Sequence, residues 1–403
     1  MGTEVIPEAK AHKAKGDGYL DQNFLDDAVR EYSEAIRLQA DYAAAWHNRG
    51  LCLVKKGQLD AAISDFTQAL ETDLDPLTFV KRAEALIKKG DLKAALADLD
   101  TAIRLDPGFE SAYFHRARVY KAQGDLSRAL SDLDHAINLN PESAEDRATL
   151  RYNRALLYQT MDRDDDSIAD LNEAARLTPG DPDVFSARGN SWCLMNKWDN
   201  ARADLIHALQ LDPRHASAYF GLALLSRDTG DSDGVIQNAT RGLQIEPGNA
   251  QVLQMRGIAC REKRRYAEAL ADFDEALRQN PAFALALSAR SKTRQITGDL
   301  QGALSDINAA LELEPSSPQL LSNRAAFWLD LGEADRAYDD CTAAIQQDPS
   351  YGRAYYNLAR AQAARGERDA ASESLEKAYE LDPSLARLGR RGCRPGFTLF
   401  GKR

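Results

Sequence analysis

Eight arginines recur at intervals close to 34 residues, or once twice that: Arg49, Arg82, Arg116, Arg154, Arg188, Arg256, Arg290 and Arg324. A guanidinium presents a planar fork of donors suited to carboxylate or phosphate, so a regular ladder of them would suit a polyanion. A second regularity argues against that chemistry. Sixteen residues after each arginine stands an aspartate: Asp65, Asp98, Asp132, Asp170, Asp204, Asp272, Asp306 and Asp340. Where the arginine is missing the aspartate is missing too, in Lys15 with Glu31, Leu222 with Asn238, and Leu358 with Ser374. A ligand-binding arginine has no need of an acid on a neighbouring segment. We therefore read the eight arginines as halves of internal ion pairs.

Other reactive side chains form no constellation. The histidines His12, His47, His115, His135, His207 and His215 fall at unrelated places in the repeating pattern. There is no G-x-S-x-G, P-loop or H-E-x-x-H, so we expect no enzyme and no cofactor. Cys52, Cys193, Cys260, Cys341 and Cys393 include no C-x-x-C pair, which argues against a zinc site or disulfide framework. The acidic run Asp162, Asp164, Asp165 and Asp166 lacks the glycine and distal glutamate of a calcium loop and suits a helix N-terminus instead.

The elements carrying these residues are short helices in pairs. In 110–143, Tyr113, Ala117 and Tyr120 lie on one face of a first helix, Gly124-Asp125 makes a turn, and Leu126, Ala129, Leu133, Ala136 and Ile137 mark a second helix that Asn140-Pro141 ends. Ala117 opposite Ala129 and Ala136 lets the two helices approach closely. A lone hairpin cannot bury its apolar face, so successive hairpins must stack.

Small residues at positions 8, 20 and 27 of a 34-residue period, Gly-Asp near 15 and Pro at 32 resemble the tetratricopeptide repeat family. The resemblance covers most of the chain and implies an all-α, right-handed superhelical α-solenoid of about eleven helix-turn-helix repeats. A lead occupies 1–8, and repeats 1–4 occupy 9–143. An inserted 144–147 is expected to lengthen the next helix by about one turn. Repeats 5–11 occupy 148–385, and a basic tail or cap 386–403. Repeat 7 (216–249), where Val235 and Gly242 replace two alanines and Gly234 falls at a helix start, is expected to be a soft joint.

In that family the first helices line a concave groove through positions 2, 5, 9 and 12. Carried over, these give a peptide-binding set of Lys10, Lys13, His47, Leu51, Val80, Phe114, Arg118, Lys121, Tyr152, Leu156, Asn190, Phe220, Leu224, Arg227, Ile258, Arg261, Lys292, Tyr356 and Arg360. Over all such positions nine residues are basic and three acidic, although the chain's net charge is −11. The groove thus reverses the overall sign and suits acidic peptides with apolar anchors. The acidic balance speaks against nucleic-acid binding. No run of about 18 apolar residues or apolar leader is visible, so we expect neither membrane insertion nor secretion, and a cytoplasmic location. The resulting reading is a non-catalytic interaction scaffold or adaptor. Two alternatives stand beside it. One is a co-chaperone reading C-terminal carboxylates through the aligned set Lys13, Asp17, Asn48, Leu77 and Lys81, in which Asp17 replaces an expected asparagine. The other is an assembly subunit that self-associates through its end repeats.

Overall fold

The computed structural model describes residues 5–386. Among them are twenty-two α-helices and no strand. The first eleven are α1 (Pro7–Asp21), α2 (Leu25–Leu38), α3 (Ala43–Lys55), α4 (Leu59–Thr72), α5 (Pro76–Lys89), α6 (Leu92–Leu105), α7 (Glu110–Ala122), α8 (Leu126–Asn138), α9 (Ala144–Thr160), α10 (Asp164–Leu177) and α11 (Pro182–Leu194). The others are α12 (Trp198–Leu211), α13 (Ala216–Asp228), α14 (Ser232–Ile245), α15 (Ala250–Glu262), α16 (Tyr266–Gln279), α17 (Ala284–Thr297), α18 (Leu300–Leu313), α19 (Pro318–Leu331), α20 (Ala334–Gln347), α21 (Gly352–Ala364) and α22 (Arg368–Leu381). They form two compact units, Met1–Asp204 and Leu205–Arg403, whose boundary falls within α12. In the first, α1 packs on α2 and so on to α9 on α10; in the second, α13 packs on α14 and so on to α21 on α22.

The hairpin turn has one conformational demand. The residue at position 15 takes a positive φ in every repeat, as glycine in seven and as Asn23, Asp162, Asn196 or Arg264 in four. Glycine is the low-cost residue there, and Asn and Asp tolerate it better than other side chains do. Asp125 then caps α8 by accepting from the Arg128 amide. The inserted residues act as expected: Ser143 caps α9, which runs 17 residues against 13 for α7. The acidic run starts α10, with Arg163 paired to Asp166 at 2.7 Å.

Small residues set the hairpin spacing. Ala117, Ala129 and Ala136 are all buried in one cluster with Tyr113 and Leu133. A Cβ added at Gly50 would lie 2.7 Å from the Phe66 ring, and one at Gly257 would lie 2.7 Å from Phe273, so these glycines are seats for aromatic rings. In repeat 7 the residues that break the pattern are packed. Helix α14 is continuous through Gly234, whose amide donates to the Asp231 cap, and Val235 is buried. A Cβ at Gly242 would meet Phe220 at 2.3 Å, so the gap left by the missing methyl is filled by Phe220.

The eight arginine–aspartate pairs all form. Each arginine donates from Nε and Nη2 to the two oxygens of its own repeat's aspartate, at 2.6–2.9 Å. The aspartates are buried, 3–8% exposed. In repeat 1 the substitute differs from the expected Lys15 pair: Glu31 binds His12 at 2.8 Å.

A candidate peptide groove with an uncompensated cationic pocket

The arginines have a third contact that the repeat pattern alone did not disclose. Each Nη1 reaches back to the preceding repeat and donates to Ser33, Thr67, Asp100, Asp134, Asn172, Thr240, Asp274 or Asn308, at 2.6–3.0 Å. All eight acceptors stand at position 25 of their repeat. Before Leu222, where no arginine follows, that position is the exposed Ile206. The polar character of position 25 was a legible signal. These arginines therefore join helices within and between repeats and are spoken for.

The groove candidates separate into three groups. Some belong to the packing. Val80 is fully buried in the α5–α6 core and is withdrawn as a contact residue. Leu51 packs beside Phe66, Ile258 beside Phe273, and Phe220 against the core that includes Ala239 and Leu243. Others are occupied internally. Lys13 is bound to Asp17 at 2.8 Å, and Asp17 also accepts from Tyr32 and Asn48, each at 2.8 Å. A carboxylate of the chain itself thus sits where the co-chaperone reading places a ligand's carboxylate. Lys81 is paired with Glu84 at 2.7 Å, and Glu84 with His115 at 3.1 Å. Burial raises the Glu84 carboxyl, but hydrogen bonds from His115 and Lys81 outweigh it and hold it at about 2. His47 bonds Thr78 at 2.7 Å, and burial lowers its imidazole below the usual range. Arg227 pairs with Asp228 at 2.7 Å, and Arg360 lies 3.6 Å from Asp330. Tyr152 is half-buried; burial, with Asp183 and Asp181 nearby, pushes its phenol up to about 12. The Asn190 Oδ1 is enclosed without a hydrogen-bond partner.

The third group stays available. In the first compact unit, Lys10 is exposed, Leu156 is half-buried, and Phe114, Arg118 and Lys121 line a small cleft with Asn153. In the second, Leu224 is half-buried. Arg261, Lys292 and Tyr356 meet around a pocket of about 340 Å3 together with Arg353, Asn323 and Ile296. No acid among the described residues lines it. Among the described residues neither Lys292 nor Arg353 has an acidic partner within ion-pair distance, and Arg261 makes only a 3.4 Å contact to the Ala289 carbonyl. Burial, reinforced by repulsion from Arg261 and Arg353, pushes the Lys292 ammonium down to about 8. Helix α17 places Lys292 between Leu285 and Ile296, which are 59% and 54% exposed, so apolar surface flanks the cation. The position rule passed through Arg353, but nothing in the sequence marked it as sharing one pocket with Lys292.

The Lys292 shift has a consequence for stability. The unfolded chain keeps the ordinary value of 10.5, so between about pH 8 and 10.5 it binds more protons than the folded protein. Stability then rises with pH across that window, and the penalty is fully present below it. Lys292→Met is expected to be more stable than the parent at pH 7, with the gap closing towards pH 10. Denaturant titrations at both pH values check this; a gap independent of pH would show that Lys292 is not held as a strained cation.

Paired antiparallel helices joined by tight turns, each pair stacked on the next, define an α-solenoid repeat protein. Tetratricopeptide repeat models match 13–76, 195–250 and 289–352, then 110–143 and 148–181, then 250–283 and 329–388, and a TPR repeat model matches 83–124. The chain belongs to the tetratricopeptide repeat family. It is similar to anaphase-promoting complex subunit 3 of Schizosaccharomyces pombe, at 22% identity over 30% of this chain and 18% of that protein. It is similar to Hsp70-Hsp90 organizing protein 3 of Arabidopsis thaliana, at 32% identity over 16% of this chain and 12% of that protein. The chain thus spans less than a fifth of the length of either relative. The crystal structure of yeast Tom70 is similar over 95% of this chain and 96% of that one, with 17% identity and a TM-score of 0.43. Proteins of this family act in general as protein-interaction scaffolds. No helix among the described residues is long and apolar enough to cross a membrane.

Cys52, Cys193, Cys260 and Cys341 are buried, and burial pushes the thiols of Cys52 and Cys341 up to about 11 and 12, which disfavours thiolate chemistry. Cys393 and nearly all of the basic tail lie outside the described residues.

Proposed function

We propose that the chain is a non-catalytic scaffold that holds acidic, apolar-anchored peptide segments of partner proteins, chiefly in its second compact unit. The observation that carries this reading is the pocket of Arg261, Lys292 and Arg353 with exposed Leu285 and Ile296 on the same helix. Placing cations near one another without counter-charges costs stability and is repaid when a complementary anion binds. The exposed leucine and isoleucine supply apolar area that burial against a peptide would make favourable. The co-chaperone reading is less favoured, because Asp17 already takes the donors of Lys13 and Asn48.

Selection from a random peptide library displayed on phage tests the proposal. Wild-type protein is expected to enrich peptides carrying Asp or Glu next to large apolar residues. The variant Arg261→Glu with Lys292→Glu, checked for unchanged helicity by circular dichroism, is expected to lose those sequences. No enrichment by the wild type, or the same sequences from both proteins, would sink the groove reading.

A further inference from the structure

Three cations converge on one pocket in the second compact unit, carried by three different helices: Arg261 on α15, Lys292 on α17 and Arg353 on α21. The pocket wall adds Tyr356, Asn323, Gln295 and the buried Leu385. The acid Asp330 is not part of the lining and is held by Gln295 at 2.5 Å and by Arg360 at 3.6 Å. It does not neutralise the three cations.

We propose that this pocket recognises a phosphorylated serine or threonine within a bound peptide, rather than a carboxylate. The inference deepens the peptide-scaffold reading above and rests on it. The argument is one of charge and acceptor count. A carboxylate carries one charge on two oxygens and would leave most of the local positive charge uncompensated. A phosphoryl monoester carries close to two charges on three strong acceptor oxygens. Each of the three cations can then take its own oxygen, and the two guanidiniums can do so as forks. The contrast with the repeat arginines supports this. Arg290 and Arg324, in neighbouring repeats, have their donors filled by Asp306 with Asp274 and by Asp340 with Asn308. Arg353, at position 2 of its repeat and outside that series, has no acid within ion-pair distance among the described residues. The exposed Ile296 in the pocket wall offers apolar surface to the segment flanking the phosphorylated residue, which a free phosphate would not use.

The experiment uses the full chain and three synthetic peptide libraries, identical but for a central phosphoserine, glutamate or serine. A companion titration uses N-acetyl-phosphoserine amide, followed by NMR. The expected result is at least tenfold stronger retention of the phosphoserine library than of the glutamate library, saturable shifts with the small ligand, and at least a tenfold loss in each of Arg261→Ala, Lys292→Ala and Arg353→Ala. Arg104→Ala, at an exposed position of α6 outside the groove set in the other compact unit, should leave phosphoserine retention unchanged. Circular dichroism of each variant separates lost binding from lost fold. The small-ligand titration of the wild type tests the pocket without any substitution. Equal retention of phosphoserine and glutamate libraries, lost together in the three variants, would overturn the phosphoryl assignment while leaving the scaffold reading intact. Retention of none of the libraries would overturn both. Binding to phosphatidylcholine vesicles doped with phosphatidic acid, without preference among the peptides, would overturn the assignment to a peptide.

Discussion

Arg116→Ala is expected to lower stability by roughly 3–5 kcal/mol, because it leaves the buried Asp132 without its counter-charge, and Asp132→Ala by less, because Arg116 keeps Asp100 at 2.7 Å. Asp132 is 6% exposed, and the Arg116 side chain 19%. The guanidinium donates to both oxygens of Asp132 at 2.7 and 2.8 Å and lies between the rings of Tyr113 and Tyr120, 5.6 and 5.9 Å from their centroids. The hydrogen bonds to Asp132 and Asp100 hold its proton even more tightly than in a free arginine. The double variant Arg116→Met with Asp132→Leu should recover most of the loss, since an apolar pair of similar volume replaces a desolvated ion pair at little net cost. Asp100→Ala is the control. Its carboxylate is 55% exposed, so its removal should cost under about 1 kcal/mol. Denaturant titrations of these variants, with the double variant Arg116→Ala/Asp132→Ala closing the cycle, give the coupling. A coupling near zero between Arg116 and Asp132 would show that the pair is incidental.

That pair was legible because the chain carries its own comparison set. Arginine and aspartate are kept or lost together from repeat to repeat, which ties them to each other and not to a ligand. The same comparison was available for position 25, where a polar residue precedes every repeat with an arginine, but the link crosses from one hairpin to the next and has no fixed partner type. Serine, threonine, asparagine and aspartate all serve, so the regularity is one of function and not of residue. The groove was harder still. Position 5 is partly or fully buried in every repeat, so what a side chain there does depends on the neighbours it meets. Val80 is buried against its own hairpin. Lys13 is consumed by Asp17 one turn away. Lys292 remains uncompensated because the described residues around it, from repeats 8, 10 and 11, are cations, amides and apolar or aromatic side chains, none of them acidic. A position rule reports where side chains start, and only the packed neighbours decide which remain free to bind.

Phe220 is the case where that difference has the largest energetic consequence. Phe220→Ala is expected to cost about 2–4 kcal/mol, below the value for a fully buried phenylalanine because this ring is half-buried. The reason lies in an unusual run of small residues. Repeat 7 has Ala223 and Ala239 where most other hairpins pair a small residue with a large one, such as Gly50 with Phe66, and it has Gly242 where the others have alanine. The hairpin therefore lacks a large residue from its second helix, and Phe220 supplies the volume from the first. Gly242→Ala alone would put a methyl 2.3 Å from the Phe220 Cε1 and 2.5 Å from its Cδ1. The ring would have to move, at a cost of about 1–3 kcal/mol. In the Phe220→Ala background the same substitution meets no ring. It fills part of the cavity and removes a helical glycine worth about 1 kcal/mol, so it should stabilise. The effect of Gly242→Ala thus changes sign with the residue at 220, and the two substitutions should couple by more than about 2 kcal/mol. Peptide selection by Phe220→Ala should remain as for the wild type wherever the protein is folded, because the ring faces its own hairpin. Additive stabilities, or loss of peptide selection with stability unchanged, would return Phe220 to the groove.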